Sequence, residues 1–311
     1  MNSLFYCDFL IRSCIIISET KEKGKLIDDI VIVDEHAHIY PTQDKAKRII
    51  KTFSNAYRLN PTHVGEGTIE DLRAKMERDH IDYTILANFA MPKIILENNL
   101  WTLYMGKQYK NIIPLIAIHP EMSSNKVELI KDYIRNGARG IKIHSAVLEF
   151  DVTDERLTEV YEYCNEIHFP IVYHSGVVSN VKYNEYADID RLMPVIDKYK
   201  GIPTILTHMV EGSSDNVIAL SKEYKHIYFD TSICISGLLC IDRCHDMKWQ
   251  NDDYVIDIIN KVGSDRILYG SDYPFGSPID DAKRFLNMKL SKETKAKILG
   301  QNALKLFNIN I

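Results

Sequence analysis

The chain has 311 residues, 45% of them hydrophobic, and a net charge of −5. The hydrophobic content suffices for a large core and argues against disorder, and the length allows one barrel-sized domain or two ordinary ones. No long basic block is present, which argues against nucleic acid as a partner, so we expect a small-molecule substrate.

The first segment, residues 1–29, is apolar from Leu4 to Ser18 and polar afterwards. Asp8 and Arg12 interrupt the apolar part, which is too short to span a bilayer. The segment also lacks the basic start and small-residue cleavage site of a signal peptide. We therefore predict a strand-like extension packed on the main domain, without a membrane anchor.

Eight short runs rich in Ile, Val, Leu and Tyr recur along the rest of the chain, each followed by a helical pattern. Their length and composition are typical of strands buried on both faces of a parallel sheet. The runs are Ile30–Asp34, Tyr83–Phe89, Ile112–Ile118, Gly140–His144, Pro170–His174, Pro203–His208, His226–Asp230 and Arg266–Gly270.

The segments between these runs carry helix-capping residues and an apolar stripe at helical spacing. Helices are predicted to begin at Thr68, Ser124, Asp154, Asp188 and Ser213, and to cover residues 252–262, 278–287, 291–299 and 301–308. This alternation of strands and helices predicts an α/β protein.

Eight strand–helix units in a chain of this length predict a closed (β/α)8 TIM barrel, formed by residues 30–311 as a single domain. A doubly wound open sheet is the alternative. Such a sheet usually carries a glycine-rich turn after its first strand, whereas His36, Ala37 and His38 stand at that point. We therefore favour the barrel.

Polar residues stand where the predicted strands end, which is where a TIM barrel carries its functional groups. A single histidine of this kind is most simply a hydrogen-bonded core residue, but several at one end of one barrel predict a common site. They are His36, His38, His119, His144, His174 and His208, together with Asp272 after the last strand.

His36 and His38 are two residues apart, so in an extended strand their side chains point to the same face. Both imidazoles can then reach one ion, at about 2.0–2.1 Å each if it is zinc. Asp34 shares this parity, and we predict that it accepts a hydrogen bond that orients one of the rings.

Several stretches resemble the amidohydrolase superfamily, and within it the amidohydrolase-related branch, also called amidohydrolase 2. The resemblance covers roughly residues 30–308 and rests on IVDEHAHIY, GIKIH, PIVYHSG, ILTHM, ILYGSDYPF and the closing ILGQNALKLF. It implies that His36, His38, His174 and Asp272 bind a divalent metal, most simply one Zn²⁺ ion. It also implies catalytic roles for Asp272, as the base that takes a proton from water, and for His208, as a further ligand or a proton-moving group.

Other residues at this end are expected to contact substrate. The resemblance leaves three roles for Lys142: a carboxylated bridge between two metal ions, a clamp for a substrate carboxylate, or a structural ion pair. His144 is expected in the pocket, and His119 either lines the pocket or bonds to backbone. Arg243 lies in the long loop between Thr231 and Gln250, a candidate lid.

The six cysteines include no CxxC pair, so free thiols in a reducing cytoplasm are the simplest interpretation. Cys240 and Cys244 lie near His245, but a structural zinc site needs a second pair of ligands. The chain is therefore expected to be cytoplasmic, and a homodimer is an expectation of the family resemblance alone.

Three functions remain open. The first is a hydrolase in which a metal-activated water cleaves an amide, lactone or related C–N or C–O bond. The second is a non-oxidative decarboxylase of an aromatic or unsaturated carboxylic acid, with His208 as acid–base group and Lys142 and Arg243 as cationic partners. Many such decarboxylases begin with Glu-x-His, so His36 favours hydrolysis. The third is a non-catalytic barrel stabilised by its metal.

Overall fold

The computed structural model describes residues 30–57, 65–122, 125–176, 182, 184–235 and 247–311. The predictions for the extension at residues 1–29, for a helix start at Ser124, for Arg243 and for the Cys240 and Cys244 pair lie outside these residues. Among the helices of the described part, none is both long and apolar enough to cross a membrane.

Within the described residues, nine strands run parallel to their neighbours and form two ladders, β1 to β3 and β4 to β9, in sequence order. The strands are β1 (Val33–Ala37), β2 (Tyr83–Leu86), β3 (Ile112–Pro114), β4 (Ile116–Ala117), β5 (Ile141–Ile143), β6 (Ile171–Tyr173), β7 (Thr204–Leu206), β8 (Ile227–Asp230) and β9 (Ile267–Leu268). Each overlaps one of the eight predicted runs, and β3 and β4 both fall within the third of them.

The third predicted run, Ile112–Ile118, passes from one ladder to the other. The backbone N–H of Leu115 donates to the carbonyl of Leu86, on β2, at 3.0 Å, whereas the next N–H, that of Ile116, donates to the carbonyl of Gly140, just before β5, at 3.0 Å. Strands β3 and β4 are therefore two halves of one barrel strand.

The outer edges of the two ladders also meet. The N–H of Glu35 donates to the carbonyl of Tyr269 at 3.0 Å, and the N–H of Asp272 donates to the carbonyl of His36 at 2.8 Å. These bonds join β1 to the segment that follows β9. The described strands thus form the predicted (β/α)8 barrel, in which β1 and β9 are neighbours.

A β-bulge lies in β1. Asp34 pairs with Thr84 but Ala37 pairs with Leu86, so β1 contains one residue more than β2 over this interval. An extra residue interrupts the alternation of side chains between the two faces. The predicted common face of Asp34, His36 and His38 is therefore broken between Asp34 and the two histidines.

Twelve right-handed α-helices surround the strands in the described part of the chain. They are Gln43–Tyr57, Ile69–Asp79, Ile95–Gln108, Lys126–Arg135, Ser145–Leu148, Thr158–Ile167, Ile189–Lys198, Ser214–Glu223, Asp252–Val262, Asp280–Asn287, Lys292–Ala296 and Asn302–Leu306, with a π-helical turn at Lys297–Gln301. Thr68, Asp188 and Ser213 cap their helices through side-chain oxygens, as predicted. The predicted helix at 291–299 ends early because the π-helical turn interrupts it.

The N-terminal end of the barrel is apolar and closed. Side chains from alternate strand positions pack with the last helix in one buried cluster that includes Val33, Ile85, Leu115, Val172, Ile205, Leu268, Ala303 and Phe307. Phe307 also lies against Gly140, directly before β5. Since this end is filled, a substrate must enter from the opposite end, where the strands carry the polar residues.

Candidate metal centre

Five imidazoles meet at the C-terminal end of the barrel, and we call them the histidine cluster: His36, His38, His144, His174 and His208. Their rings are linked by contacts with centroid distances of 3.9 to 5.3 Å, and each residue is less than 9% exposed. The structure therefore brings together residues from β1 and from the ends of β5, β6 and β7, as the barrel prediction requires.

Asp272 joins two of these histidines. Its Oδ1 lies 3.3 Å from His38 Nε2 and 3.6 Å from His36 Nε2, and the two Nε2 atoms are 3.2 Å apart. Ligand atoms that share one ion at about 2.0–2.1 Å are separated by roughly 3.0–3.5 Å. Two of the three separations fall within this range and the third lies just above it, so a small side-chain shift would let the three atoms share a single divalent ion.

His174, the fourth predicted ligand, lies in a different environment from the other three. Its Nδ1 lies 3.3 Å from His208 Nε2, and its Nε2 is buried without a hydrogen-bond partner among the described residues. A buried imidazole nitrogen is normally bonded, so an unpartnered one beside other potential ligands supports metal ligation. His174 does not belong to either of the two groups whose ligand atoms lie within 4.8 Å of one another.

The second of those groups contains His36, His208 and Asp230. Asp230, the last residue of β8, was not identified from the sequence, although its place at a strand end is the signal that could have found it. Its Oδ2 accepts a hydrogen bond from His36 Nδ1 at 2.8 Å. Burial raises the pKa of Asp230, but the contacts with His36, His208 and Ser232 together outweigh it and hold the pKa below the usual range.

The acceptor that orients His36 is therefore Asp230, and the prediction that Asp34 plays this part is wrong. Asp34 instead accepts hydrogen bonds from the backbone N–H of Ser271 at 2.8 Å and from its hydroxyl at 2.6 Å. The bulge in β1 separates Asp34 from the ring it was expected to orient. Asp34 thus positions the residue directly before Asp272.

Burial keeps the ligand candidates in the neutral form that binds metals. It lowers the pKa of His36 to about 4, with the Lys142 ammonium acting in the same direction. Burial also lowers the pKa of His38 and, by more, those of His144 and His174. These imidazoles are therefore uncharged at neutral pH and present nitrogen lone pairs.

Lys142 and Glu35 are two fully buried ionisable residues beside the site. Lys142 Nζ lies 3.1 Å from His36 Nε2, and burial lowers its pKa. Both carboxyl oxygens of Glu35 lack a hydrogen-bond partner among the described residues, and burial together with the charge of Asp230 raises its pKa well above the usual range. No salt bridge joins the two, so the ion-pair role of Lys142 has no contact to support it. Glu35 was not identified from the sequence.

The remaining predicted substrate contacts are placed differently. His144 stacks on His174 with centroids 3.9 Å apart and also meets Phe89 at 4.7 Å, inside the cluster. His119 donates from Nε2 to the carbonyl of Leu148 at 3.0 Å, and its Nδ1 accepts from a backbone N–H at 3.1 Å. Both nitrogens of His119 are thus bonded to backbone, the second of its two predicted alternatives.

The chain turns in a left-handed conformation directly after β7. Every residue from His208 to Gly212 has a positive φ, between 49° and 73°, although Val210 is β-branched and strongly disfavours this region. The indole of Trp249 donates to the carbonyl of Gly212 at 2.7 Å and anchors the turn. Strained backbone of this kind is characteristic of functional sites, and here it sets the direction of His208.

These residues define a centre of imidazoles and one carboxylate at the C-terminal end of the barrel. Such a donor set suits zinc and also manganese, iron, cobalt or nickel. The fit of His36, His38 and Asp272 and the unpartnered Nε2 of His174 indicate a divalent metal site.

Solved structures with the same fold cover nearly the whole chain. An uncharacterized TIM-barrel protein of Bordetella bronchiseptica is 16% identical, with a TM-score of 0.69 over 90% of this chain and 99% of that chain. A 5-carboxyvanillate decarboxylase of Novosphingobium aromaticivorans, solved with manganese and a nitrobenzoic acid compound, is 16% identical, with a TM-score of 0.68 over 93% and 100%. A 2-pyrone-4,6-dicarboxylic acid hydrolase from Pseudomonas putida, so described provisionally, is 14% identical, with a TM-score of 0.64 over 91% and 99%.

At these identities the likeness establishes the fold, and the barrel is that of these TIM-barrel proteins. No curated protein matches the chain in sequence. The sequence profile of one family, described as amidohydrolase, matches residues 33–309. The match covers all nine strands and the whole of the metal centre, and the chain therefore belongs to the amidohydrolase family.

Proposed function

We propose that the chain is a metal-dependent hydrolase that cleaves an amide, lactone or related C–N or C–O bond of a small molecule. The observation that carries the proposal is the position of Asp272. One of its oxygens contacts both His36 and His38, while its side chain is 12% exposed against 1% and 7% for the two histidines. The carboxylate thus borders the side from which water and substrate arrive.

A divalent ion held by His36, His38, Asp272 and His174 would supply Lewis acidity, which makes water more acidic and polarises a carbonyl. Asp272 would take a proton from the attacking water and return it to the leaving group. His208 is the proposed proton-moving residue on the other side of the cluster, where its Nε2 faces His174.

Isotope labelling tests the proposal. The metal-loaded protein is incubated in ¹⁸O-water with panels of amides, lactones and esters, and a hydrolase incorporates ¹⁸O into the product. Asp272→Asn should retain most of the metal and lose at least about 10³-fold in turnover, since general acid–base groups contribute about 10²–10⁴-fold. Asp272 has a φ of 60°, which Asn tolerates, so the backbone should be preserved. Full activity in this variant would remove Asp272 from the mechanism.

The second candidate is decarboxylation of an aromatic or unsaturated carboxylic acid. Two observations support it: the full-length likeness to a manganese-containing decarboxylase, and the place of His208 in the histidine cluster, since an imidazole can act as a general acid. Decarboxylation in deuterium oxide places deuterium on the carbon that loses CO₂, and in ¹⁸O-water it adds no ¹⁸O to the organic product. The same labelled-water experiment on aromatic carboxylic acids therefore separates the two functions.

A matched pair of histidine variants tests the role of His208. His208 and His168 both have left-handed backbone, with φ of 57° and 54°, and only His168 is exposed. Replacement of either by Asn suits this backbone. His208→Asn should lower kcat by about 10²–10⁴-fold in either function, whereas His168→Asn should not. Metal-dependent stability without turnover on either panel would instead support a non-catalytic barrel.

We further propose one Zn²⁺ ion per chain. Imidazole and carboxylate ligands support zinc, and the manganese of the decarboxylase structure makes Mn²⁺ the main competitor. Elemental analysis of the purified protein gives both the metal and its stoichiometry. A content of two ions per chain would contradict the single-ion proposal and favour Lys142 as a carboxylated bridge.

We also propose that the protein is a cytoplasmic homodimer that acts on a small molecule and binds neither nucleic acid nor membrane. The buried thiol of Cys164, which forms no disulfide, supports a reducing compartment. Along one helix and the turn before it, large apolar side chains are 39–58% exposed, namely Met91, Ile94, Leu96, Leu100 and Tyr104. These fractions correspond to roughly 500 Å², much of the ~800 Å² per subunit of a standard interface. Leu100→Lys should convert a dimer to a monomer in light scattering.

A further inference from the structure

Asp230 is the common acceptor of two histidines that the site uses. Besides the bond from His36 Nδ1 at 2.8 Å, it accepts from the backbone N–H of His208 at 3.0 Å and from the backbone N–H of Ser232 at 2.8 Å. The Ser232 hydroxyl also donates to its Oδ1. Asp230 and Ser232 are both 0% exposed, so water does not compete for these bonds.

The donors and acceptors of this network determine which nitrogen of each ring carries the proton. An ionised carboxylate can only accept, so His36 Nδ1 is protonated and its Nε2 keeps the lone pair. The Ser232 hydroxyl has its proton on Asp230, so its oxygen accepts. His208 Nδ1 lies 2.8 Å from that oxygen and 3.1 Å from the Ser232 carbonyl, and both partners require Nδ1 to donate.

The same argument extends to His174. Because His208 is protonated on Nδ1, its Nε2 is an acceptor in the neutral ring. That atom lies 3.3 Å from His174 Nδ1, which must then be the donor. His174 Nε2 is left with a lone pair, and this is the buried nitrogen that has no partner among the described residues.

We propose that Asp230 and Ser232 are positioning residues that fix the tautomers of three imidazoles: His36 directly, His208 through the Ser232 hydroxyl, and His174 through His208. The consequence is that Nε2 of His36 and Nε2 of His174 both carry a lone pair, the form in which an imidazole nitrogen can bind a metal. The inference rests on the proposed function only in taking these two nitrogens as metal ligands. The tautomers themselves do not depend on any turnover.

Imidazole nitrogen NMR reads the tautomers directly. In the metal-free full-length protein labelled with ¹⁵N-histidine, the wild type should show Nδ1 protonated and Nε2 unprotonated for all three rings. Ser232→Ala should shift His208 and His174 toward a mixture of tautomers, and Ser232→Thr, which keeps the hydroxyl, should restore the wild-type signals. His36 Nδ1 also lies 3.1 Å from the Ser232 hydroxyl but keeps its bond to Asp230 in this variant, so His36 should stay protonated on Nδ1. Thr231→Ala is the matched control, since the adjacent Thr231 is 1% exposed and its hydroxyl is unbonded in the described structure.

Metal affinity is the second measurement. Titration with Zn²⁺ and Mn²⁺ against a competing chelator should show a loss of about 10–100-fold for Asp230→Asn, the usual effect of removing such an orienting acceptor. Ser232→Ala should lose less, and Thr231→Ala should bind as the wild type does. Equal losses in Thr231→Ala and Ser232→Ala would indicate a packing effect and overturn the proposal.

A wild-type spectrum with Nε2 protonated on His36 or His208 would overturn the proposal without any variant, so the test survives if Ser232→Ala does not fold. Correct tautomers in a protein that hydrolyses and decarboxylates nothing would overturn the proposed function and leave the positioning roles of Asp230 and Ser232 standing.

Discussion

Replacement of Lys142 by Met separates the three roles that the sequence leaves open for this lysine. The side chain is fully buried, its one hydrogen bond is to His36 Nε2 at 3.1 Å, and it forms no salt bridge with a described carboxylate. Met is unbranched and of similar length, so Lys142→Met removes the buried amine with little change in packing.

The structure predicts a small gain in stability for the metal-free variant. Desolvation of a buried polar group costs about 1–3 kcal/mol, and the lost hydrogen bond contributed about 0.5–1.5 kcal/mol, so the net gain is about 1 kcal/mol. An unfolding entropy of ~2.1 cal/mol/K per residue gives roughly 0.6 kcal/mol/K for a chain of this size, and Tm should rise by about 2 °C.

Calorimetry of the metal-free wild type and of Lys142→Met measures this difference. Lys261→Met is the matched control, because Lys261 is exposed and surface substitutions change stability by less than about 0.5 kcal/mol. A loss of 3–5 kcal/mol in Lys142→Met, the usual cost of breaking a buried ion pair, would refute the reasoning and identify Lys142 as the partner of Glu35 or Asp230. A loss of stability seen only in the metal-loaded protein, together with a fall in metal content from two ions per chain to one, would identify Lys142 as a bridging lysine.

Three further predictions concern the metal, pH and the closing helix. Zn²⁺ at about 100 times its Kd should stabilise the protein by about 2.7 kcal/mol. A wild-type Tm that zinc does not change would contradict the proposed metal site. Stability of the metal-free protein should fall as pH falls from about 6.5 to about 4, because in this window the unfolded chain protonates His36 while the folded protein does not. His36→Asn should flatten this profile by up to about 3 kcal/mol, as judged by urea unfolding at each pH, and an identical slope in both proteins would contradict the lowered pKa. Asn302 donates to the carbonyls of Ser264 and Ile267 at 2.7 Å, so Asn302→Ala should cost about 1–3 kcal/mol. The exposed Asn287→Ala should be neutral in the same denaturant titration, and equal effects would show that these bonds contribute little.

Local patterns predicted much of the fold because their causes are local. The strands and most helices lie where apolar periodicity and capping residues placed them, and Thr68 accepts from the N–H of Asp71 as its spacing predicts. The points at which individual strands and helices begin and end depend instead on the strands and helices packed beside them. The third run divides at Leu115 because its neighbours on the two sides belong to different ladders.

The histidine cluster was predictable for a related reason. In a parallel barrel all strands end on one side, so histidines at strand ends converge whatever the precise register. The contacts within the cluster were not predictable. The extra residue in β1 interrupts the side-chain alternation on which the pairing of Asp34 with His36 was predicted. The sequence of β1 gives no reliable sign of this bulge.

The sequence by itself determined the barrel, the family resemblance and the pair His36 and His38, since spacing along one strand suffices to bring two imidazoles together. Only the tertiary structure decided how that pair is held. The bond from His36 to Asp230 joins residues 194 positions apart, and the bond from Ser271 to Asp34 spans 237. Which residues become partners depends on strand register and on the contact between β1 and β9, and neither can be predicted from a single segment of the sequence. The chain from Asp230 through Ser232 to His174 depends in the same way on the register of β6, β7 and β8.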